Sequence, residues 1–209
     1  DALNAVGARA LAYFQKQDKS ELSDEALAQR SKALTLMGEI ANTRGELDRA
    51  LSLYQEAFAS TAESVRRYPN VPERLFDHAQ NVFWVGYIAY QRGRLNDAAR
   101  LFEEYQQLAG RMVALAPDSK KYRLEVIYAN TNLGTVLMEQ RRYRAAVRTY
   151  EASVRAAESL SAADPRSLDH QKNVTNALAW LADAREFAGE LEQALATRER
   201  QLRLIASLE

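Results

Sequence analysis

Two histidines, His78 and His170, are the first residues to weigh for chemistry, because imidazole is both a common general base and a common metal ligand. Neither has a second histidine one helical turn away. No His-Glu-x-x-His run, glycine-rich phosphate loop or recognisable Ser, His, Asp grouping occurs. The chain contains no cysteine, which removes disulfides, thiolate nucleophiles and cysteine-based metal sites. Lone histidines without ligand spacing read as helix-surface residues, and the many carboxylates are spread along charged faces. The chain therefore reads as noncatalytic, with no catalytic residue, no metal site and no cofactor expected.

Docking by aromatic rings is the chemistry with better support. Gln80, Phe83, Tyr87 and Tyr90 follow one another at spacings of three, four and three, which keeps them on one side of a helix. Trp84 flanks that stripe, and the only other tryptophan, Trp180, lies 96 residues further on. Rings supply large contact area at low conformational cost and dominate binding hot spots. With Tyr128, Asn132 and Asn176 on related stripes, the candidate partner-binding residues are Phe83, Trp84, Tyr87, Tyr90, Tyr128, Asn132, Asn176 and Trp180. The two tryptophans suit packing between helices equally well. The polar residues Asn130, Thr131, Asn132 and Thr135, echoed by Asn173, Thr175 and Asn176, suit either a bound peptide backbone or bonds between helices. Glu39, Asp77, Glu125, Asp183 and Glu186 outnumber Lys32 and Lys121 there, which favours a neutral or basic partner segment.

These stripes belong to a repeating frame. Alanine recurs at 2, 50, 98, 146 and 194, a period of 48 residues. The same period carries Gly38, Gly86 and Gly134 with Ala182 in the fourth place, and also Pro69, Pro117 and Pro165. Around each small residue, apolar positions at i, i+3 and i+7 mark one face of a first helix, here helix A. Gly45, Gly93 and Gly189 suit left-handed helix ends, and Arg141 breaks that rule. A second helix, B, follows, with an aromatic four residues after the alanine at Tyr54, Phe102 and Tyr150. Asp164-Pro165, Pro117-Asp118-Ser119 and Leu22-Ser23-Asp24 read as helix starts. The expected helices run over residues 3–16, then 23–43, 46–67, 72–92, 95–115, 119–140, 143–162, 166–187 and 190–207, about nine in all. The matching domain reading is a single repeat domain over 1–209, with a partial repeat at 1–20 and repeats at 21–68, 69–116, 117–164 and 165–209. Because Ala2 already sits in a mid-helix register, the chain is expected to be part of a longer parent protein.

The order small residue, alanine twelve on, aromatic four further, then proline resembles the tetratricopeptide repeat (TPR), and Gly86, Ala98, Phe102 and Pro117 carry it best. That family repeats every 34 or so residues, roughly fourteen fewer than here, and the surplus divides as about seven residues per helix. Seven residues make two turns to within about 20°, so both helices lengthen without turning their apolar faces out of the core. The chain thus resembles a long-helix variant of the family, with the HEAT-type hairpin solenoid as the fold alternative. The resemblance implies an all-α, right-handed α-solenoid of antiparallel helix pairs whose A helices line a concave groove. Some members clamp a C-terminal carboxylate there with Lys and Asn. Thr35 and Glu39 occupy those places in the first repeat, so the clamp is not rebuilt.

Composition narrows the partners. Basic and acidic residues balance at 28 each, so the long-range field that draws proteins to nucleic acid is missing. No stretch of about 18 apolar residues occurs, so direct membrane insertion is not expected. A cytoplasmic location is the expectation, and nothing in the composition bars the periplasm. The 22 Arg against 6 Lys suit a high-GC bacterial gene. The sequence reading is a protein-interaction module gripping a protein or peptide partner, or another domain of its parent chain, in a bacterial signalling or effector protein. Self-association through open ends and a sensor domain for a small ligand or peptide are the alternatives, and Arg198 in the last aromatic position hints at a capped C-terminal helix.

Overall fold

In the computed structural model, residues 22–207 are described. Among them are eight α-helices and no strand: α1 (Asp24–Thr43), α2 (Leu47–Arg67), α3 (Pro72–Gln91), α4 (Leu95–Leu115), α5 (Lys120–Glu139), α6 (Tyr143–Ala163), α7 (Leu168–Phe187) and α8 (Leu191–Ala206). The expected helix over residues 3–16 lies outside the described residues. Two compact units are present, one ending at Leu115 and the other beginning at Ala116. The first holds the hairpins α1–α2 and α3–α4, the second α5–α6 and α7–α8. Every observed helix lies within two residues of its sequence expectation. Among the described residues no helix is long and apolar enough to cross a membrane.

The helix ends explain that agreement. Ser23, Ser119 and Ser167 stand one or two periods apart, and each side-chain oxygen accepts a hydrogen bond from the backbone N–H three residues on. At the fourth place Val71 precedes Pro72, which starts α3 with a residue that has no N–H to satisfy. Asp164-Pro165 does not start a helix as expected. Asp164 closes α6, Ser167 caps α7, and the Asp164 carboxylate is engaged instead by Lys120 at 2.8 Å. That ammonium holds Asp164 below the usual carboxylate range.

Each A helix ends in one repeated turn. Glu46, Arg94, Arg142 and Glu190 donate backbone N–H groups to Ala41, Ala89, Leu137 and Arg185, each at 2.9 Å. The residue before each donor must take positive φ. Gly45, Gly93 and Gly189 do so without a Cβ penalty, and Arg141 does so too, at φ 57°. The turn thus survives in the third hairpin at a conformational cost.

Packing within a hairpin centres on one contact. A Cβ built on Gly38 would lie 2.6 Å from the Tyr54 ring, one on Gly86 2.9 Å from Phe102, and one on Gly134 2.5 Å from Tyr150. All three rings are buried, each lying on bare helix backbone across the hairpin. In the fourth hairpin both members change together: Ala182 carries a methyl, and Arg198 replaces the ring and pairs with Asp183. On α8 the residues Leu191, Leu195, Leu202 and Ile205 are exposed. They share a face with Arg198, so that face is an apolar stripe rather than the polar cap that Arg198 suggested.

The Arg141 turn yields a test. Arg141→Gly removes the Cβ strain of the left-handed conformation and should stabilise the fold by about 0.5–1 kcal/mol, read as a higher urea midpoint with unchanged slope.

Candidate functional site

The aromatic stripe of α3 is brought together as expected, and its rings work largely inward. Phe83 lies 5.1 Å from Trp84 and 5.9 Å from Tyr87, and Trp84 lies 5.9 Å from Tyr87 with the rings nearly perpendicular. Phe83 also packs on Phe102 and Tyr105 of α4, each at 6.1 Å. Trp84 reaches back to the previous hairpin and stacks on Tyr54 at 5.2 Å with the planes 4° apart. Phe83, Trp84, Tyr87 and Tyr90 are therefore half-buried. One face of the Tyr54 ring meets Gly38 and another meets Trp84.

In the second unit Trp180 repeats that arrangement, stacking on Tyr150 at 6.3 Å with planes 14° apart. It is nevertheless 45% exposed, because Ala179 and Asp183 stand where Phe83 and Tyr87 shield Trp84. Tyr128 is equally exposed, and Asn176, in the same register one period on, is exposed too. Asn132 donates its side-chain N–H to the Tyr128 carbonyl at 2.8 Å.

The surrounding polar residues are mostly spoken for. Asn130 donates to the Val126 carbonyl at 2.7 Å, and Thr131 donates to Ile127 at 2.9 Å while meeting Ser153 Oγ at 3.2 Å. Thr135 lies 3.3 Å from the Tyr150 hydroxyl. These contacts tie helices to themselves and to their hairpin partners.

One feature escaped the sequence reading. Between α1 and α3 lies a cleft of about 220 Å³ lined by Ser31, Lys32, Thr35, Leu36, Glu39, Asp77, Gln80 and Asn81. Its floor is a closed network: Thr35 Oγ1 lies 2.8 Å from Asn81 Oδ1, and Asn81 Nδ2 donates to Ser31 Oγ at 3.3 Å and to the Asp77 carbonyl at 2.9 Å. On the rim Leu36 is 46% exposed. Leu36 stands in the register of Trp84 and Trp180, which is the signal that would have marked it. Glu39 of the cleft and Tyr87 of the ring cluster both act on Tyr54. Its buried hydroxyl has no hydrogen-bond partner among the described residues, and burial, then the nearby Glu39 and Tyr87, push it above its ordinary range.

Both histidines depart from the surface position expected of them. His78 is 6% and His170 8% exposed, because neighbouring helices cover them. Among the described residues no group of three or more His, Asp or Glu is placed to hold a metal ion.

No family model matches the chain, and no curated protein matches it. Solved structures do. The nearly identical TPR-like repeats of a Podosopora anserina protein described as a kinesin light chain superpose with a TM-score of 0.65 at 16% identity, covering 100% of this chain and 97% of that one. The fold is the TPR-like helical repeat. The apo form of RapI shares it, with a TM-score of 0.66, 10% identity, and 99% and 71% of the two chains covered. BtubC from P. vanneervenii shares it at 0.52 and 14% identity, over 100% and 92%. Ring and glycine meet across three of the four A and B pairs, inside helices of 20 and 21 residues.

The two TPR-like tryptophans should separate in their energetics. Trp84→Ala should cost about 3–4 kcal/mol and Trp180→Ala roughly half of that, since one ring is enclosed by other rings and the other is half in water. Denaturant unfolding of the two variants side by side measures the difference.

Proposed function

We propose that the chain is a noncatalytic protein-interaction module that grips a partner segment on the faces of its A helices. The observation that carries this reading is the α1–α3 cleft: its floor already satisfies its own hydrogen bonds, while its rim offers an exposed Leu36 beside Glu39, Asp77 and Lys32. A preformed floor needs no reorganisation on binding, and an exposed apolar side chain among charges supplies an anchor with a selective rim. Stacked hairpins present surface rather than an enclosed chamber, which suits a segment more than a small molecule.

In this reading the half-exposed edges of Phe83, Trp84, Tyr87 and Tyr90 extend the contact along α3. Tyr128, Asn132, Asn176 and Trp180 supply the contact surface of the second unit, with Tyr128 and Trp180 its equally exposed rings. Phe83 also packs on α4, so its contribution to binding is inseparable from stability. Glu39 and Asp77 against Lys32 give the cleft an acidic lean and a partner segment with an apolar residue near a cation. The arginine-rich composition supports a bacterial setting, and a signalling or effector parent protein is the context we propose.

Selection of random peptides displayed on phage tests this directly. Enriched sequences should pair an apolar residue with Lys or Arg within a turn, and Leu36→Glu should weaken their binding by about tenfold or more. Binding that is indifferent to Leu36→Glu would remove the cleft from the account.

A further inference from the structure

The turn that leads from α5 into α6 reverses the charge of its counterparts. In the first, second and fourth hairpins that turn reads Gly-Glu-Leu-Asp, Gly-Arg-Leu-Asn and Gly-Glu-Leu-Glu, beginning at Gly45, Gly93 and Gly189. In the third it reads Arg141, Arg142, Tyr143 and Arg144. Three cations thus stand where the first and fourth hairpins each hold two carboxylates. The first turn of α6 also carries no acid, whereas those of α2, α4 and α8 do.

These cations are open to a partner. Arg141, Arg142 and Arg144 are exposed. Arg142 reaches the Gln140 side-chain oxygen at 3.4 Å, and the guanidinium groups of Arg141 and Arg144 have no ion-pair or hydrogen-bond partner among the described residues. All three line a cleft of about 330 Å³ that they share with Tyr143 and Phe187. Phe187, the last residue of α7, is as distinctive as the arginines, since its register holds Thr43, Gln91 and Glu139 in the other hairpins. It stacks on Tyr143 with ring centroids 5.5 Å apart and still leaves 61% of its surface in water. Substitutions in two hairpins therefore assemble cations and an open ring in one place.

Arg141 adds a third sign. It holds φ 57°, a conformation that the other three turns give to glycine. A side chain that opposes its own backbone lowers stability, and such positions concentrate where a surface is used for binding. We propose that this cleft docks a segment of a partner protein that combines acidic residues with an aromatic one. Its carboxylates accept charge-assisted hydrogen bonds from Arg141, Arg142 and Arg144, and its ring stacks on the open face of Phe187.

A long polyanion fits the surroundings less well. Glu139, two residues before Arg141, and Glu186, beside Phe187, are exposed carboxylates. They repel an RNA strand or an anionic bilayer that extends past the arginines, and a Debye length of about 8 Å confines the attraction to a short segment. The site lies in the second unit and is opposite in charge to the α1–α3 cleft of the first, so it goes beyond the surface proposed above and takes a different segment.

The probe is a fluorescein-labelled peptide of glutamates around a single tryptophan, titrated by fluorescence anisotropy. It should bind the unmodified chain, and raising salt from about 50 mM to about 300 mM should weaken it by about fivefold or more. Arg141→Gly with Arg144→Asn, which installs the residues of the second hairpin, should weaken it by about tenfold or more. Arg141→Gly alone should weaken it by about threefold while raising the urea midpoint, so affinity and stability move in opposite directions and loss of fold is not the cause. Phe187→Gln should remove the preference for this peptide over one with alanine in place of the tryptophan. Equal affinity of the unmodified chain and the double variant overturns the site, as does a peptide that does not bind. Tighter binding of single-stranded RNA or of phosphatidylserine vesicles than of the peptide overturns it too.

Discussion

An aromatic ring lying on the bare backbone of the opposite helix is the contact on which the hairpins depend. It demands glycine at one position and a flat side chain sixteen residues later, as at Gly134 and Tyr150, and it draws the two helix axes together. Close approach then multiplies dispersion contacts along both helices, which is where most of the stability of long helices arises. The fourth hairpin shows the rule by its exception: a methyl at Ala182 coincides with loss of the ring, and an Arg198 to Asp183 ion pair stands in its place.

The same ring organises what lies outside the hairpin. Tyr54 and Tyr150 each receive a tryptophan from the next A helix, so one side chain serves both the hairpin and the stacking of hairpins within its unit. Beside each ring, and beside the Arg198 that replaces the fourth, the chain places a different residue: Glu39, Tyr87, Thr135 and Asp183 share one register. Two of them bond their neighbours, Thr135 the Tyr150 hydroxyl and Asp183 the Arg198 guanidinium. The frame is constant and the chemistry around it varies, which is how a repeat protein acquires a particular surface without altering its fold.

Helix boundaries were legible because caps and turns repeat in register with the core: serine at Ser23, Ser119 and Ser167, and a left-handed turn after every A helix. The ring stripe of α3 was legible as a stripe, since helical spacing places residues on one side. Spacing does not say whether another helix covers that side; here Phe102 and Tyr105 of α4 cover Phe83 and Tyr54 of α2 stacks on Trp84, leaving both half-buried. Burial of His78 was hidden for a similar reason. The groups that face its ring, Thr61 of α2 and Phe58 of the same helix, come from outside its own helix, which spacing along α3 does not show. Leu36 was not legible by type, since a leucine on a helix reads as core; its place in the register of Trp84 and Trp180 is what marks it.

A double-mutant cycle on Gly134→Ala and Tyr150→Leu tests the ring-on-glycine constraint most directly. Gly134→Ala alone should destabilise the fold by about 1–3 kcal/mol through overpacking. In the Tyr150→Leu background the same methyl should cost at least about 1 kcal/mol less, because the flat ring that it strikes has gone. Additive costs would mean that glycine is needed there for some reason other than the ring, and the account of the hairpin would fail.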